Sequence, residues 1–550
     1  MKKTLLFLTV ALACSTAQAT EKTVTLSAAG QLSSQVDASE KYAITELTVS
    51  GPMNGADFAF IRDMAGKDEE GESTEGQLQV LDLSGASIVA GGVYYTDMKS
   101  TEEYEAEANT IGDYMFRDLT LTKVSLPAGI TKIGYRAFYN CTALESIVGT
   151  ESATELGTGA FESCTVLDGV VLNASLTEIP TALFRRCNAL DHFSLPAGIT
   201  KINEEAFYGC KLSNLTLPEG LEIIGKGALS GIEATTLTLP STVKVLEANA
   251  IYDCSNLAEI ILNEGLVEIG EGALGYNRAL TNLTIPSTVT TIGESAFNHC
   301  KLLTEMALPE GITTIPAYCF DQCAALKSVG IPSTVTTIGE CAFQMCSELS
   351  DIVLPEGLET IEANAFSSCE ALMAIELPTT LRTIGDNAFE SSGLTEVNIP
   401  EGVTRLGSEG GMWMPGGSVF AWCTNLKKVT LPSTIESLGA MTFDSCPLEE
   451  LTIKAVTPPN IEGFLNNPFG FDDSIYEQCT VIVPEEALDA YKEDAGWSQF
   501  MNIIADTATG IATVSQQASR QSTTAYTIGG QRAGSHAKGI IIENGRKMVK

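Results

Sequence analysis

The amino-acid sequence predicts a repeat solenoid: a right-handed coil with a parallel β-sheet on one face and short helical or irregular segments on the other. The first observation is a recurring anchor, Pro127, Thr150, Asn173, Pro196, Pro218, Pro240, Asn263, Pro286, Pro309, Pro332, Pro355, Pro378, Pro400, Pro432 and Lys454. Its intervals are 22 or 23 residues, apart from 32 between Pro400 and Pro432. The second is the pattern inside one interval, where Val289, Ile292, Ala296, Phe297, Cys300, Leu303, Met306 and Leu308 recur between polar residues. The third is a short alternating element closed by Pro or Asn, such as Leu215-Thr216-Leu217 or Ile375-Glu376-Leu377. A unit this short cannot bury its own apolar face, whereas a stack of units makes one continuous core.

The strand element comes first in each repeat. Proline lacks a ladder N–H, so it stops the strand at the same place in each coil. A tight turn is expected at Ile-Gly, as in Ile292-Gly293 and Ile338-Gly339, followed by an A-F-x-x-C segment of one or two helical turns. Ten consecutive turns after the anchor alternate between Glu-Gly and Ser-Thr types, from Pro218-Glu219-Gly220 to Pro432-Ser433-Thr434, so the growing unit is a pair of repeats. The alternation puts Glu219, Glu264, Glu310, Glu356 and Glu401 in a row two rungs apart. Such a row reads as a solvated acidic edge, with Ca²⁺ binding as the alternative if further oxygens join each carboxylate.

The 15 cysteines do not read as a disulfide framework. Eleven of them, Cys141, Cys164, Cys187, Cys210, Cys254, Cys300, Cys323, Cys346, Cys369, Cys423 and Cys446, fall three residues after the repeat's A-F pair or its variants. They are expected to form one internal column, each thiol filling a small apolar gap. Ile232, Asn277 and Ser392 replace the thiol in other repeats, and parallel Cβ vectors suit the disulfide torsion badly; occasional bridges are the alternative.

The chain divides into residues 1–19, an N-terminal β-rich cap at 20–109, repeats over 110–456, a C-terminal cap at 457–505, a linker at 506–525 and a small β tail at 526–550. Met1 to Ala19 has Lys2 and Lys3, an apolar run and Ala17-Gln18-Ala19, the form of a secretory signal peptide. A lipoprotein signal ending at Cys14 is the alternative, so an exported, surface or extracellular location is expected, with no membrane span. In the N-terminal cap, Lys22–Leu26, Ile44–Val49 and Gln77–Leu83 read as strands. The acidic, tyrosine-containing stretch from Tyr94 to Ala108 reads as a solvated insertion, with a binding loop as the alternative. In the C-terminal cap, Cys479 to Val483 reads as a strand and Ala487 to Phe500 as an amphipathic helix. Ile540-Ile541-Ile542 before Asn544-Gly545 is a hairpin signal.

Net charge is −37, which argues against a nucleic-acid partner, because that binding needs Lys and Arg to neutralise phosphates. His192, His299 and His536 are the only histidines, and none stands in metal or triad spacing. Gly220 to Lys226 imitates a phosphate-binding loop, but Gly227 stands where Ser or Thr is required. No catalytic, cofactor or metal residue is expected, and the chain is read as a non-enzyme. Two features remain as contact candidates. One is the open side of the sheet, including Glu305, Asp351, Glu376 and Asn398; it is also ordinary strand chemistry. The other is the one break in period, residues 408–418, with Met412, Trp413 and Met414, and Trp422 just beyond. Trp and Met are favoured at contact surfaces, although Trp413 folding back onto a coil is the alternative.

The repeat L-x-L-P-x-x-[VIL]-x-x-I-G-x-x-A-F-x-x-C-x-x-L, carried by about Ile111 to Val456, resembles the BspA-like (Treponema pallidum type) class of bacterial leucine-rich repeats found in surface proteins of Bacteroidetes. Leu81-Asp82-Leu83-Ser84 and the segment with Val483-Pro484, Tyr491-Lys492 and Trp497 resemble caps of that family. Tyr526, Gly529-Gly530 and Lys538-Gly539-Ile540 are similar to short C-terminal modules of exported Bacteroidetes proteins, and Asp506-Thr507-Ala508 resembles their O-glycosylation motif. The resemblance implies a secreted or cell-surface binding protein whose partner is a host or bacterial surface protein, or a glycan. It supplies no ligand residues to carry over. A structural or assembly role at the surface is the alternative, and a glycan-processing enzyme a third.

Overall fold

In most repeats two short extended stretches and one turn are bonded to neighbouring rungs. The computed structural model describes residues 20–191, 193–408, 417–461, 467–470 and 472–507, together with the backbone of Ala525–Thr527, Ile540–Glu543 and Arg546–Val549. The first stretch is the expected L-x-L strand. Lys123–Ser125 pairs in parallel with Ser146–Val148, Thr236–Thr238 with Glu259–Ile261, and Glu305–Ala307 with Ser328–Gly330. Val124, Ile147, Leu237 and Met306 are buried at the centre of these strands.

The second stretch lies where only a turn was expected. Two-residue strands such as Thr291–Ile292 and Thr337–Ile338 precede the glycine and form a further parallel ladder. It runs unbroken from Glu178–Ile179 to Thr291–Ile292 and again from Thr314–Ile315 to Thr383–Ile384. The following glycine serves close approach rather than a special dihedral angle: a Cβ on Gly293 would lie 2.4 Å from the amide nitrogen of Glu271 one rung away.

The A-F-x-x-C segment is a turn, not a helix. Its amides alternate: the Phe138 N–H donates to Ala160 of the next rung at 2.8 Å, and the Tyr139 N–H donates within its own rung to Arg136 at 3.0 Å. This requires positive φ twice per turn, as at Arg136 (50°) and Asn140 (59°), which a regular helix never supplies. Rung stacking therefore overrides helical propensity here. The benefit is a column of phenylalanines, Phe297, Phe320, Phe343, Phe366 and Phe389, whose rings stack nearly parallel with centroids 5.2–5.4 Å apart. Each such ring contributes about 1.5–3 kcal/mol by burial alone.

The N-terminal strands Glu21–Thr25, Glu46–Met53 and Val80–Ile88 extend the same parallel sheet as rungs of uneven length. Between them sits the helix Gly55–Met64, capped reciprocally by Asn54 and Asp57, which strand alternation alone does not reveal. The stretch from Tyr94 to Ala108 is solvated from Met98 to Glu103, as expected, but packed at its base. Val93–Asp97 and Glu102–Glu105 form an antiparallel hairpin, Tyr94 and Tyr95 are buried, and Tyr95, Tyr104 and Tyr114 make mutual ring contacts. Beneath Tyr95 lies the buried Arg62, donating to the carbonyls of Asp68, Tyr114 and Met115, its pKa lowered by burial to about 10. The first open coil is thus sealed by aromatic rings and a guanidinium that satisfies its carbonyls.

At the other end Thr480–Pro484 and Asn502–Asp506 add two further parallel strands. The helix between them spans only Leu488–Glu493, because Asp494 Oδ1 accepts from the N–H groups of Gly496 and Trp497 and turns the chain. Trp497 is fully buried and donates from Nε1 to the Pro459 carbonyl. In the tail, Ile540–Glu543 pairs antiparallel with both Ala525–Thr527 and Arg546–Val549. Asn544 and Gly545, the expected hairpin tip, lie outside the described residues.

Candidate functional site

The exposed side of the L-x-L strands carries two columns of side chains, because strand residues alternate inward and outward. Glu305 and Asp351 stand at the first outward position of their strands and Asn398 at the second outward position of its strand, while Glu376 takes the equivalent second place in a rung without strand pairing; all four are exposed. The structure thus brings the four residues onto one face but in two columns. The ladder on this face is not continuous. Among the described residues, 169–172, 214–217 and 374–377 make no strand pairing. Hollows open along this face, one beside the unpaired 169–172 and lined by Val170, Val171, Leu195 and Pro196, another lined by Glu259, Ile261, Asn282 and Thr284.

Of the period break, Met412, Trp413 and Met414 lie outside the described residues. Trp422 is 55% exposed and has φ of 62°, a place filled by Asn140 or Gly209 in other rungs. Other rungs place large side chains at the same left-handed position, as His299 (57°) and Met345 (57°), so the angle belongs to the turn and not to Trp422 alone.

The Glu-Gly and Ser-Thr alternation is an interlock between neighbouring rungs. Glu264 accepts from the Ser287 hydroxyl at 3.1 Å, and Glu401 from the Ser433 hydroxyl at 2.8 Å. Beside it the Gly357 N–H donates to Thr380 Oγ1 at 3.0 Å, and that hydroxyl donates on to the Leu358 carbonyl at 2.8 Å. Gly265 and Gly357 adopt φ of 117° and 118°, which explains why Gly follows Glu there. The turn carboxylates Glu264, Glu310, Glu356 and Glu401 therefore hold Ser or Thr hydroxyls of the next rung.

The eleven thiols do stand in one column, but they do more than fill gaps. Each Sγ donates to a backbone carbonyl of the preceding rung, as Cys164 to Phe138 at 3.1 Å and Cys346 to Phe320 at 3.1 Å. Where Asn277 replaces the thiol, its amide donates to Ile251 and Leu274 at 2.9 Å, so that rung keeps a donor, whereas the buried Ile232 supplies none. All the cysteines among the described residues are free and buried. Burial pushes Cys254 and Cys300 up to about 12. Nothing in the spacing of the cysteines signals the donor role; Asn277 and Ser392 at an otherwise apolar position are the hints.

His299 stacks on Tyr276 at 4.0 Å and its Nε2 lies 3.9 Å from Asp321; burial, then Lys301 and Arg278, lower its pKa. His192 and His536 lie outside the described residues. The stretch resembling a phosphate loop is an ordinary rung, with Lys226 paired to Glu204.

Residues 109–231, 177–304, 290–410 and 416–471 match the family described as "BspA type Leucine rich repeat region (6 copies)". Among solved structures, a leucine-rich repeat protein from Bacteroides ovatus is 21% identical, covering 60% of this chain and 87% of its own, with a TM-score of 0.47. A leucine rich cell surface protein from Faecalibacterium prausnitzii is 27% identical, covering 50% and 84%, with a TM-score of 0.35. The leucine-rich repeat protein of T. pallidum is 20% identical, covering 44% and 83%, with a TM-score of 0.20. No curated protein matches significantly. No helix among the described residues is long and apolar enough to cross a membrane. The assignment rests on the repeat match over most of the rod: this chain belongs to the BspA-type leucine-rich repeat family.

Proposed function

We propose that the chain is an exported recognition protein that binds a host or microbial surface protein, or a glycan, through the outer sheet face and the 408–418 loop with Trp422. The observation that carries this reading is the face itself: many rungs present ordered, exposed polar and apolar side chains, including Val353 at 75% exposure and Ile261 at 45%. Extended repeat surfaces of this kind act by contact area. The family match supports recognition as the role, and a relative described as a cell surface protein supports the location.

The test is a matrix-protein and glycan array probed with the full chain. Capture of one class, lost on replacing Glu376 and Asn398, assigns the sheet face. Loss on replacing Trp413 and Met414 assigns the loop instead. A chain that captures nothing while converting a supplied substrate sinks the reading.

A further inference from the structure

The thiol column ends on a hollow. Cys446, its last member, is 8% exposed, whereas every other thiol of the column is at most 1% exposed. In the next turn Asp472, three residues after Phe469, takes the place of the thiol and is exposed. The hollow that results has a volume of about 470 Å³ and is lined, among the described residues, by Thr424, Phe443, Cys446, Phe469, Asp472 and Gln478. Only Thr424 of these belongs to the rung of Cys423, so Cys446 stands between Cys423 and the hollow. Two phenyl rings wall the space, and the Asp472 carboxylate disfavours an anion in it.

One rung behind, Cys423 is fully buried. Its Sγ donates to the Phe389 carbonyl at 3.0 Å and lies 3.2 Å from Ser392 Oγ. Contact with the Cys446 thiol, and then with the Ser392 hydroxyl, lowers the pKa of Cys423 despite its burial, while burial raises that of Cys446. Neighbouring rungs stand about 4.8 Å apart at their paired strands, within the span of about 4.4–6.8 Å between the Cα atoms of a disulfide. Parallel Cβ vectors hinder the disulfide torsion where thiol rungs press from both sides. Cys446 has the hollow on its outer side and is free to turn.

We infer that Cys423 and Cys446 form a redox site, which takes a small organic disulfide without negative charge from the hollow and closes to an intrachain disulfide. In the singly ionised pair the Cys446 sulfur attacks one sulfur of the small disulfide, its proton passes to Cys423, and one thiolate leaves into the hollow. Cys423 then attacks the Cys446 sulfur from the side away from the hollow, and its proton goes to the second thiolate as that leaves. Two cysteine sulfurs are oxidised and one disulfide is reduced to two thiol equivalents.

The probe is hydroxyethyl disulfide, incubated with the full chain, followed by alkylation of the remaining thiols and peptide mass spectrometry. One bridge, Cys423 to Cys446, is expected. Cys446 should react about tenfold or more faster than Cys141 or Cys254, which the reagent reaches only after local unfolding. Cys423→Ser, which copies Ser392 at the equivalent place, should stop at a mixed disulfide on Cys446. Cys446→Ser should leave Cys423 reduced, and oxidised glutathione, an anion, should react more slowly with the unaltered chain. An unaltered chain that stops at the mixed disulfide overturns the inference. So does a Cys446 that reacts no faster than Cys254, or a bridge between Cys141 and Cys164 forming at the same rate, since either means that the chain reacts only when opened.

Discussion

A thiol in this rod is a hydrogen-bond donor set in an apolar wall, and its chemistry follows from that. Burial holds Cys210, Cys254 and Cys300 near 12, against about 9 for an exposed thiol. The folded pKa is the higher one, so stability is level below about pH 9 and falls as pH rises toward 12, because only the unfolded chain then loses protons. Each such thiol should steepen the fall by about 1.4 kcal/mol per pH unit, measured as urea midpoints at pH 8, 9 and 10. Cys254→Val with Cys300→Val should flatten the slope; an unchanged slope would mean these thiols ionise in the fold. Trp422 makes the opposite case, an apolar side chain exposed at a left-handed position. Trp422→Asn, the residue found at the equivalent Asn140, should raise stability by about 0.5–1 kcal/mol. The same variant should weaken any captured ligand. Losing both stability and ligand would show that Trp422 is there for packing.

At the scale of one turn, the two-rung alternation is a division of labour between donor and acceptor. Thr380→Val removes the acceptor for the Gly357 N–H and the donor for the Leu358 carbonyl, both at a part-buried place. It should cost about 1–2 kcal/mol, seen as a lower urea midpoint at unchanged m value. Thr379→Ala, whose hydroxyl reaches only the exposed Glu356, should cost under about 0.5 kcal/mol. Equal costs would mean that the alternation carries no interlock. The Glu-Gly and Ser-Thr pairing was legible as a pattern in the letters. Its cause was not, because the partners are a full rung apart in sequence and meet only when the coils stack. The same holds for the Ile-Gly stretch, where two residues are too few for any periodicity signal, yet stacking makes them a ladder.

The rod as a whole should respond to deletions in steps of two rungs. Removing residues 310–355 joins Pro309 to Glu356 and keeps every Glu-Gly turn beside a Ser-Thr turn. Removing 310–332 joins Pro309 to Ser333 and sets two Ser-Thr turns side by side. Neighbouring-rung interfaces dominate solenoid stability, so the single-rung deletion should melt lower than the two-rung deletion. Calorimetry on the two shortened chains settles the order, and a two-rung deletion melting at or below the other would remove the paired unit from the account. The period break at 408–418 already shows that extra residues are accepted at a corner, since Phe389, Phe420 and Phe443 keep their stack across it at 5.4 and 5.7 Å.

By itself the amino-acid sequence determined the stacking: the anchor, the phenylalanine and cysteine positions and the closing prolines dictate where each rung begins and which side chains turn inward. Those signals are local and repeated, so each rung restates them. Only the tertiary structure decided what lies between rungs, which is why the second ladder, the turns in place of helices, the thiol donors and the tyrosine seal over Arg62 came into view with the fold. It also decided that Cys446, alone in its column, opens on a hollow. The reason is that hydrogen-bond partners and surface columns join residues about one rung apart, a relation created by the translation of the coil and absent from any single repeat.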